Sequence, residues 1–206
     1  MDPKSKLLRL KNFWRNQLHS CAIGFSGGVD SAFLVVTGLR WAKVELFPVF
    51  VDSVFVSEAA LNQAIQIADC IGIETIRLRW NPLTIPEIIK NDRLRCYFCK
   101  KNLYLKIRKS IVQMNSHCST IIDGTQADDL LKQRPGLFAL QELEVQTPLA
   151  DIGFTKTDIR YCLNRWGYAF WDLPAESCLA TRFKYGKRLS EKEIQALNFE
   201  LRYKKS

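Results

Sequence analysis

Residues 21–36 read CAIGFSGGVDSAFLVV. Ala22, Ile23 and Phe25 make an apolar run of strand character, and Ala32 to Val36 continue as an apolar helix. Between them stand Ser26-Gly27-Gly28-Val29-Asp30-Ser31. A glycine-rich turn between a strand and its helix puts backbone N–H groups at a helix N-terminus, where they favour an anion. Gly27 and Gly28 let the backbone approach that anion with no Cβ in the way. Ser26 and Ser31 add hydroxyl donors, and Asp30 is suited to hold Mg2+ or an N-terminal amide. The stretch lacks both the G-x-x-x-x-G-K-[ST] of a Walker A loop and the G-x-G-x-x-G of a dinucleotide fingerprint. The bland alternative is an ordinary turn with a capping aspartate.

The surrounding chain has 206 residues, 47% of them hydrophobic, and a formal charge of +9. That suits one sizeable domain, or one domain with a short appendage. The basic balance fits an anionic partner, either nucleic acid or a phosphorylated small molecule. No apolar run reaches membrane-spanning length. The charged start MDPKSKLLRLKNFW lacks a signal-peptide core, so a cytoplasmic protein is expected. Seven cysteines, with no sign of secretion, argue against a disulfide framework and for metal, redox or sulfur chemistry.

Working outward, short β-rich runs alternate with longer amphipathic ones. Strands are expected at 20–25, 44–51, 74–79 and 119–123, with Pro48 awkward inside the second. Helices are expected at 30–41, 57–71, 96–114, 128–143 and 155–166, the second capped by Ser57 with Ala60, Ile65 and Ala68 apolar. This alternation predicts an α/β doubly wound parallel sheet with helices on both faces. Residues 167–188 turn irregular, and a loop of that length in a compact domain is often functional.

Three further stretches carry chemistry. Cys96 and Cys99 form a C-x-x-C at a helix start, suited to a soft metal or to redox work. Asp123-Gly124-Thr125-Gln126-Ala127-Asp128-Asp129 ends a strand in paired carboxylates, as Mg2+ and nucleotide handling require, or as a helix cap with acidic first-turn residues would. Cys178 lies in the irregular loop with Arg182 nearby, a candidate reactive thiol or ligand. Cys21, Cys70 and Cys162 read as small buried hydrophobes. Cys118 beside His117 looks like a metal pair but has no further ligand in view, and His19 reads as surface. The tryptophans read mainly as core; Trp171, beside the loop, is the one with a place to line a site.

The S-G-G-x-D-S stretch after a first strand resembles the PP-loop of ATP pyrophosphatases, which implies an adenine nucleotide alpha hydrolase-like fold with ATP at the carboxyl ends of the strands. Together with R-C-Y-x-C-K, D-G-T-x-A-D-D, R-P-G-L, T-P-L-A at 147–150 and S-C-L-A-T-R followed by Tyr185-Gly186, the chain resembles the LarE family of ATP-dependent sulfur transferases from about residue 15 to 190. The resemblance implies an enzyme of nickel-pincer nucleotide biosynthesis. Such an enzyme adenylates a carboxylate of a pyridinium mononucleotide, releases pyrophosphate and installs sulfur to give a thiocarboxylate. It implies ATP and Mg2+ bound by Ser26, Gly27, Gly28, Asp30, Ser31, Gly124, Asp128, Asp129 and Arg182, with Asp30 and Cys178 catalytic. It leaves two sulfur sources open. Either Cys96, Cys99 and Cys178 bind a 4Fe-4S cluster with one iron open to an extra sulfide, the version favoured by three cysteines at the matching positions, or Cys178 gives up its own sulfur and becomes dehydroalanine. The implied partner is a phosphorylated pyridinium small molecule, not nucleic acid or a membrane, and a homo-oligomer is expected.

The chain departs from the family pattern in places. Residues 1–188 match the ATP pyrophosphatase domain, and 189–206 are expected to be a short remnant of a longer C-terminal region. Arg202-Tyr203-Lys204-Lys205 is either an echo of an arginine-bearing strand or an unrelated tail. Leu130-Leu131-Lys132 and Leu173 before Pro174 also differ, which leaves room for a different acceptor. The competing readings are a PP-loop tRNA thiolase and a non-catalytic ATP- or cluster-binding module.

Overall fold

The computed structural model describes residues 2–114, 118–131 and 134–203. Four parallel strands, β1 (Cys21–Gly24), β2 (Leu46–Asp52), β3 (Ile76–Arg79) and β4 (Thr120–Ile122), lie in the order β3-β2-β1-β4. Gln146 extends the sheet by one parallel bridge beside Ile122. The chain therefore leaves β1 toward β2 and β3 on one side and returns to β4 on the other. That reversal places a crevice at the carboxyl ends of β1 and β4, where open α/β sheets bind ligands.

Alternation along the strands builds two cores. Cys21 and Ile23 of β1 face one apolar cluster and Ala22 faces the other, as the two-residue period of a strand requires. The first cluster is covered by α1 (Pro3–Arg15), α2 (Val29–Trp41), α3 (Glu58–Ile71) and α9 (Lys156–Arg165), through Leu10, Trp14, Phe33, Ile67 and Ile159. The second is covered by α5 (Arg95–Met114) and α7 (Pro135–Glu142), through Tyr104, Ile107, Ile111 and Leu140. Helix α2 is buried on nearly every side from Val29 to Gly38, apart from Asp30, and this fixes the turn that precedes it. Short helices α4 (Pro86–Ile89), α6 (Ala127–Leu130) and α8 (Pro148–Ile152) fill the connections. The last helix, α10 (Glu191–Tyr203), seats Ile194 in a third small cluster with Phe55, Ile88, Leu179 and Leu189.

The elements match the sequence pattern with physical exceptions. Ser57 caps α3 by accepting from the Ala60 amide at 3.0 Å. Pro48 sits inside β2 at no cost: its missing N–H points toward β3, whose pairing begins only at Val49. The helix expected over 128–143 is two, α6 and α7, because Pro135 cannot continue a helix and instead starts one. Helix α1 was not expected at all; Asp2 caps it, with its carboxylate 2.8 Å from the Lys4 amide. Ile65 and Cys70 face solvent rather than the core. Arg202 and Tyr203 continue α10 and form no strand. His117, Lys132, Lys204 and Lys205 lie outside the described residues, and Cys118 is buried under β4. Among the described residues no helix is long and apolar enough to cross a membrane.

Candidate active site

The turn after β1 is held by its own side chains. The Ser26 amide donates to Ser31 Oγ at 3.2 Å, Ser31 Oγ donates to the Gly28 carbonyl at 3.0 Å, and the Gly28 amide donates to Ser26 Oγ at 3.3 Å. Gln63 of α3 clamps the turn from outside through a 2.7 Å bond to the Gly27 carbonyl. Gly27 has φ +73°, and a Cβ there would lie 2.5 Å from the Ala64 Cβ. Across the crevice, a Cβ on Gly124 would lie 3.0 Å from the Ser31 amide nitrogen. The end of β4 thus presses against the start of α2, a close approach that a Cβ would crowd.

A cleft of about 440 Å3 opens beside this turn, a size suited to a nucleotide-scale ligand. Its lining brings the polar Ser26, Gly28, Asp30, Ser31, Asp129 and Arg134 together with the apolar and thiol-bearing Phe55, Trp80, Cys99 and Cys178. Gly124 also lines it. Gly27, Asp128, Cys96 and Arg182 do not. Gly27 sits behind the turn against Ala64, and Asp128 accepts from the Lys156 amide at 2.9 Å. Cys96 is half-buried beside Arg95, and Arg182 is exposed. Trp171 packs against the main core, and Trp80 takes the place at the cleft wall.

Two lysines that sequence reading gave no role hold the carboxylates. Lys156 Nζ lies 2.6 Å from Asp30 Oδ2. Burial pushes the Asp30 carboxyl above its ordinary range, more than Lys156 pulls it back, and Asp129 adds to the rise. Asp30 Oδ1 is buried with no hydrogen-bond partner among the described residues. A carboxylate oxygen left bare beside a second carboxylate, at a turn shaped for phosphate, fits a Mg2+–phosphate group. Lys100 Nζ lies 3.0 Å from Asp123, which also accepts from Tyr104 and from the Thr125 hydroxyl. Burial alone would raise the Asp123 carboxyl, but Lys100, Thr125 and Tyr104 together hold it below its ordinary value. Tyr104 is raised well above its usual range by burial and by the Asp123 charge.

The three loop and helix cysteines lie within electrostatic reach of one another. Burial pushes Cys99 up to about 12, with Cys178 and Cys96 adding to the rise while Arg95 and Lys100 oppose it. Cys178 is exposed as a residue, yet enough protein crowds its thiol for desolvation to raise its pKa as well. Among the described residues no three His, Cys, Asp or Glu side chains meet closely enough to hold a single metal ion. A cubane cluster asks for something different, one thiolate at each of three corners around a wide centre. Cys99 and Cys178 at the cleft, with the half-buried Cys96 one helical turn before Cys99, supply thiolate donors of that chemistry.

No family model matches the chain. It is 30% identical over 192 residues to an uncharacterized protein of Synechocystis sp., covering 93% of this chain and 70% of the relative. It is 32% identical over 194 residues to an uncharacterized protein of Methanocaldococcus jannaschii, covering 93% and 73%. With the pyridinium-3,5-bisthiocarboxylic acid mononucleotide synthase of Lactiplantibacillus plantarum it shares 25% identity over 190 residues, covering 92% and 68%. The fold is similar to that of the NH3-dependent NAD synthetase from Campylobacter jejuni, with a TM-score of 0.63, 16% identity, and 82% and 76% of the two chains covered.

Proposed function

Because the chain belongs to the LarE family of the PP-loop superfamily, we propose that it uses ATP to adenylate a carboxylate of a pyridinium mononucleotide and replaces the activated oxygen with sulfur. One observation carries this reading: Cys99 and Cys178 line the same cleft as Ser26, Asp30 and Ser31. A sulfur source and a phosphate-binding turn then serve one bound substrate.

A carboxylate is a poor electrophile because oxide leaves badly. Attack of its oxygen on the α-phosphorus of ATP expels pyrophosphate and makes AMP the leaving group. Ser26, Gly27, Gly28 and Ser31 cradle the departing pyrophosphate, and Lys156 supplies positive charge beside it. Asp30 Oδ1 and Asp129 would hold Mg2+, which would neutralise phosphate charge. Gly124 lets the β4 end close on the turn, Asp128 anchors the start of α9 that carries Lys156, and Arg182, exposed after the Cys178 loop, would add positive charge for the nucleotide. A sulfur nucleophile then displaces AMP from the acyl carbon. Cys96, Cys99 and Cys178 would hold a 4Fe-4S cluster, which would leave one iron open to carry sulfide. A second source is Cys178 itself, favoured by its exposure on the rim. Its thiolate would form a thioester, and elimination would leave dehydroalanine and the thiocarboxylate.

The test is pyrophosphate release with the dicarboxylate counterpart of the product named for the Lactiplantibacillus relative. Wild type should release pyrophosphate only when this acceptor is present, and Asp30→Ala should abolish it. Normal turnover by Asp30→Ala would remove the phosphate-turn assignment. Replacing Cys96 and Cys99 together with alanine separates the sulfur sources: a cluster enzyme loses iron, labile sulfide and transfer, whereas a sacrificial enzyme keeps transfer.

A further inference from the structure

Asn91 and Arg95 are fully or nearly fully buried, at 0% and 3% exposure, just before and at the start of the helix that carries Cys96 and Cys99. Their polar atoms are spent on the segment that follows Cys178. Asn91 Nδ2 donates to the Lys184 carbonyl at 2.9 Å and to the Lys187 carbonyl at 3.0 Å, using both of its amide hydrogens. The Asn91 carbonyl accepts from the Gly186 amide at 2.9 Å. Asn91 Oδ1 accepts from Arg95 Nη1, and the same guanidinium donates to the Ala180 carbonyl at 2.8 Å. Its other arm reaches Cys96 Sγ at 3.5 Å, and the Tyr185 ring covers it at 5.5 Å. Two backbone bonds flank the pair, Leu189 to Ile89 and Leu179 to Phe55, both 2.9 Å.

An apolar cluster of Phe55, Ile88, Leu179, Leu189 and Ile194 already packs this region. Apolar packing resists separation but not sliding. A forked guanidinium and a primary amide aimed at named carbonyls fix one register. Burying an arginine costs solvation that packing alone would avoid, which points to a role in specificity of position. Asn91 stands in left-handed backbone, φ 54°, a conformation that asparagine tolerates better than most residues.

We propose that Asn91 and Arg95 are positioning residues that lock the Cys178 loop onto the Cys96/Cys99 helix, so that sulfur is delivered from a fixed point beside the adenylated acceptor. The claim rests on the sulfur-transfer reading above. Neither residue touches the phosphate turn, so the lock acts on the second half-reaction and not the first.

The experiment uses the full chain with Asn91→Gly, which keeps the left-handed backbone and removes only the side chain, and Asn91→Asp as a second variant that keeps the bond from Arg95 and loses both carbonyl contacts. Hydrogen exchange followed by mass spectrometry reads the lock directly. Exchange at Leu179, Gly186 and Leu189 should rise about tenfold or more in both variants, with α2 and the sheet unchanged. Acceptor-dependent pyrophosphate release should stay within about twofold of wild type, while thiocarboxylate formation falls about tenfold or more. Unchanged exchange in 179–189 overturns the lock. Faster exchange with unimpaired sulfur transfer overturns its positioning role, as does an equal fall in both half-reactions. A wild type that transfers no sulfur sinks the sulfur-transfer reading and this role with it, while the exchange result still decides whether the lock exists.

Discussion

Gly27→Ala should cripple the phosphate turn while leaving the fold recognisable. At φ +73° the new Cβ would sit 2.5 Å from the Ala64 Cβ, 2.6 Å from its Cα and 2.9 Å from its amide nitrogen. Two of those three atoms are backbone of α3 and cannot rotate away. Left-handed backbone costs an L-residue about 1–2 kcal/mol, and overpacking a tight contact adds about 1–3 kcal/mol, giving a destabilisation of about 2–5 kcal/mol. With a urea slope of roughly 2 kcal/mol per M, the unfolding midpoint should fall by about 1–2.5 M. The turn also has a way to escape: it can move off α3, breaking the Gln63 bond to the Gly27 carbonyl and misaligning Ser26 and Ser31. Some stability then returns at the expense of activity. The assay is urea unfolding followed by circular dichroism, paired with pyrophosphate release on the same samples. Ala64→Gly in the same chain removes one of the three close atoms and should restore only part of the midpoint. A Gly27→Ala protein with wild-type midpoint and wild-type pyrophosphate release would refute the reasoning.

Further outcomes follow from the same geometry. Cys178→Ala should stop sulfur transfer yet spare pyrophosphate release, since the bonds that hold the phosphate turn come from Ser26, Gly28, Ser31 and Gln63 and not from Cys178; retained transfer, read by mass spectrometry of the acceptor, would sink the role of Cys178. Lys156→Met should strip Asp30 of its 2.6 Å partner and lower pyrophosphate release by about 10- to 1000-fold with the fold intact; release within twofold of wild type would show that Lys156 serves only structure. Asp123 has a folded pKa below its unfolded value of about 3.9, so its ionised form stabilises the fold above that value, and the benefit fades as pH falls through the folded pKa. The urea midpoint of wild type should therefore exceed that of Asp123→Asn at pH 7, with the gap closing below about pH 4; a gap independent of pH would contradict the ionised assignment.

The phosphate turn was legible because its parts are neighbours in the chain. Strand, glycines, serines and helix start all fall within residues 21–36, and local periodicity names them. The same holds for Ser57 as a cap. What stayed hidden depends on distance or on competition. Lys156 meets Asp30 across 126 positions, and Asn91 meets Lys184 across 93, so nothing local marks either pairing. Helix α1 carries a weak apolar pattern, because Lys and Arg dominate its surface and only Lys6, Leu10 and Trp14 are buried. The break in 128–143 was readable at Pro135 but yielded to the apolar residues on either side of it. Trp80 reaches the cleft wall only through the fold, whereas Trp171 neighbours the cysteine loop in sequence but packs against the main core, so nothing local marks Trp80.

The most direct measurement is the mass of the acceptor after one incubation of anaerobically reconstituted protein with ATP and the pyridinium dicarboxylate mononucleotide. The account predicts a thiocarboxylate, an oxygen replaced by sulfur, formed together with AMP and pyrophosphate and absent without ATP. Pyrophosphate released with the acceptor left free of sulfur, despite iron and labile sulfide bound to the protein, would contradict it.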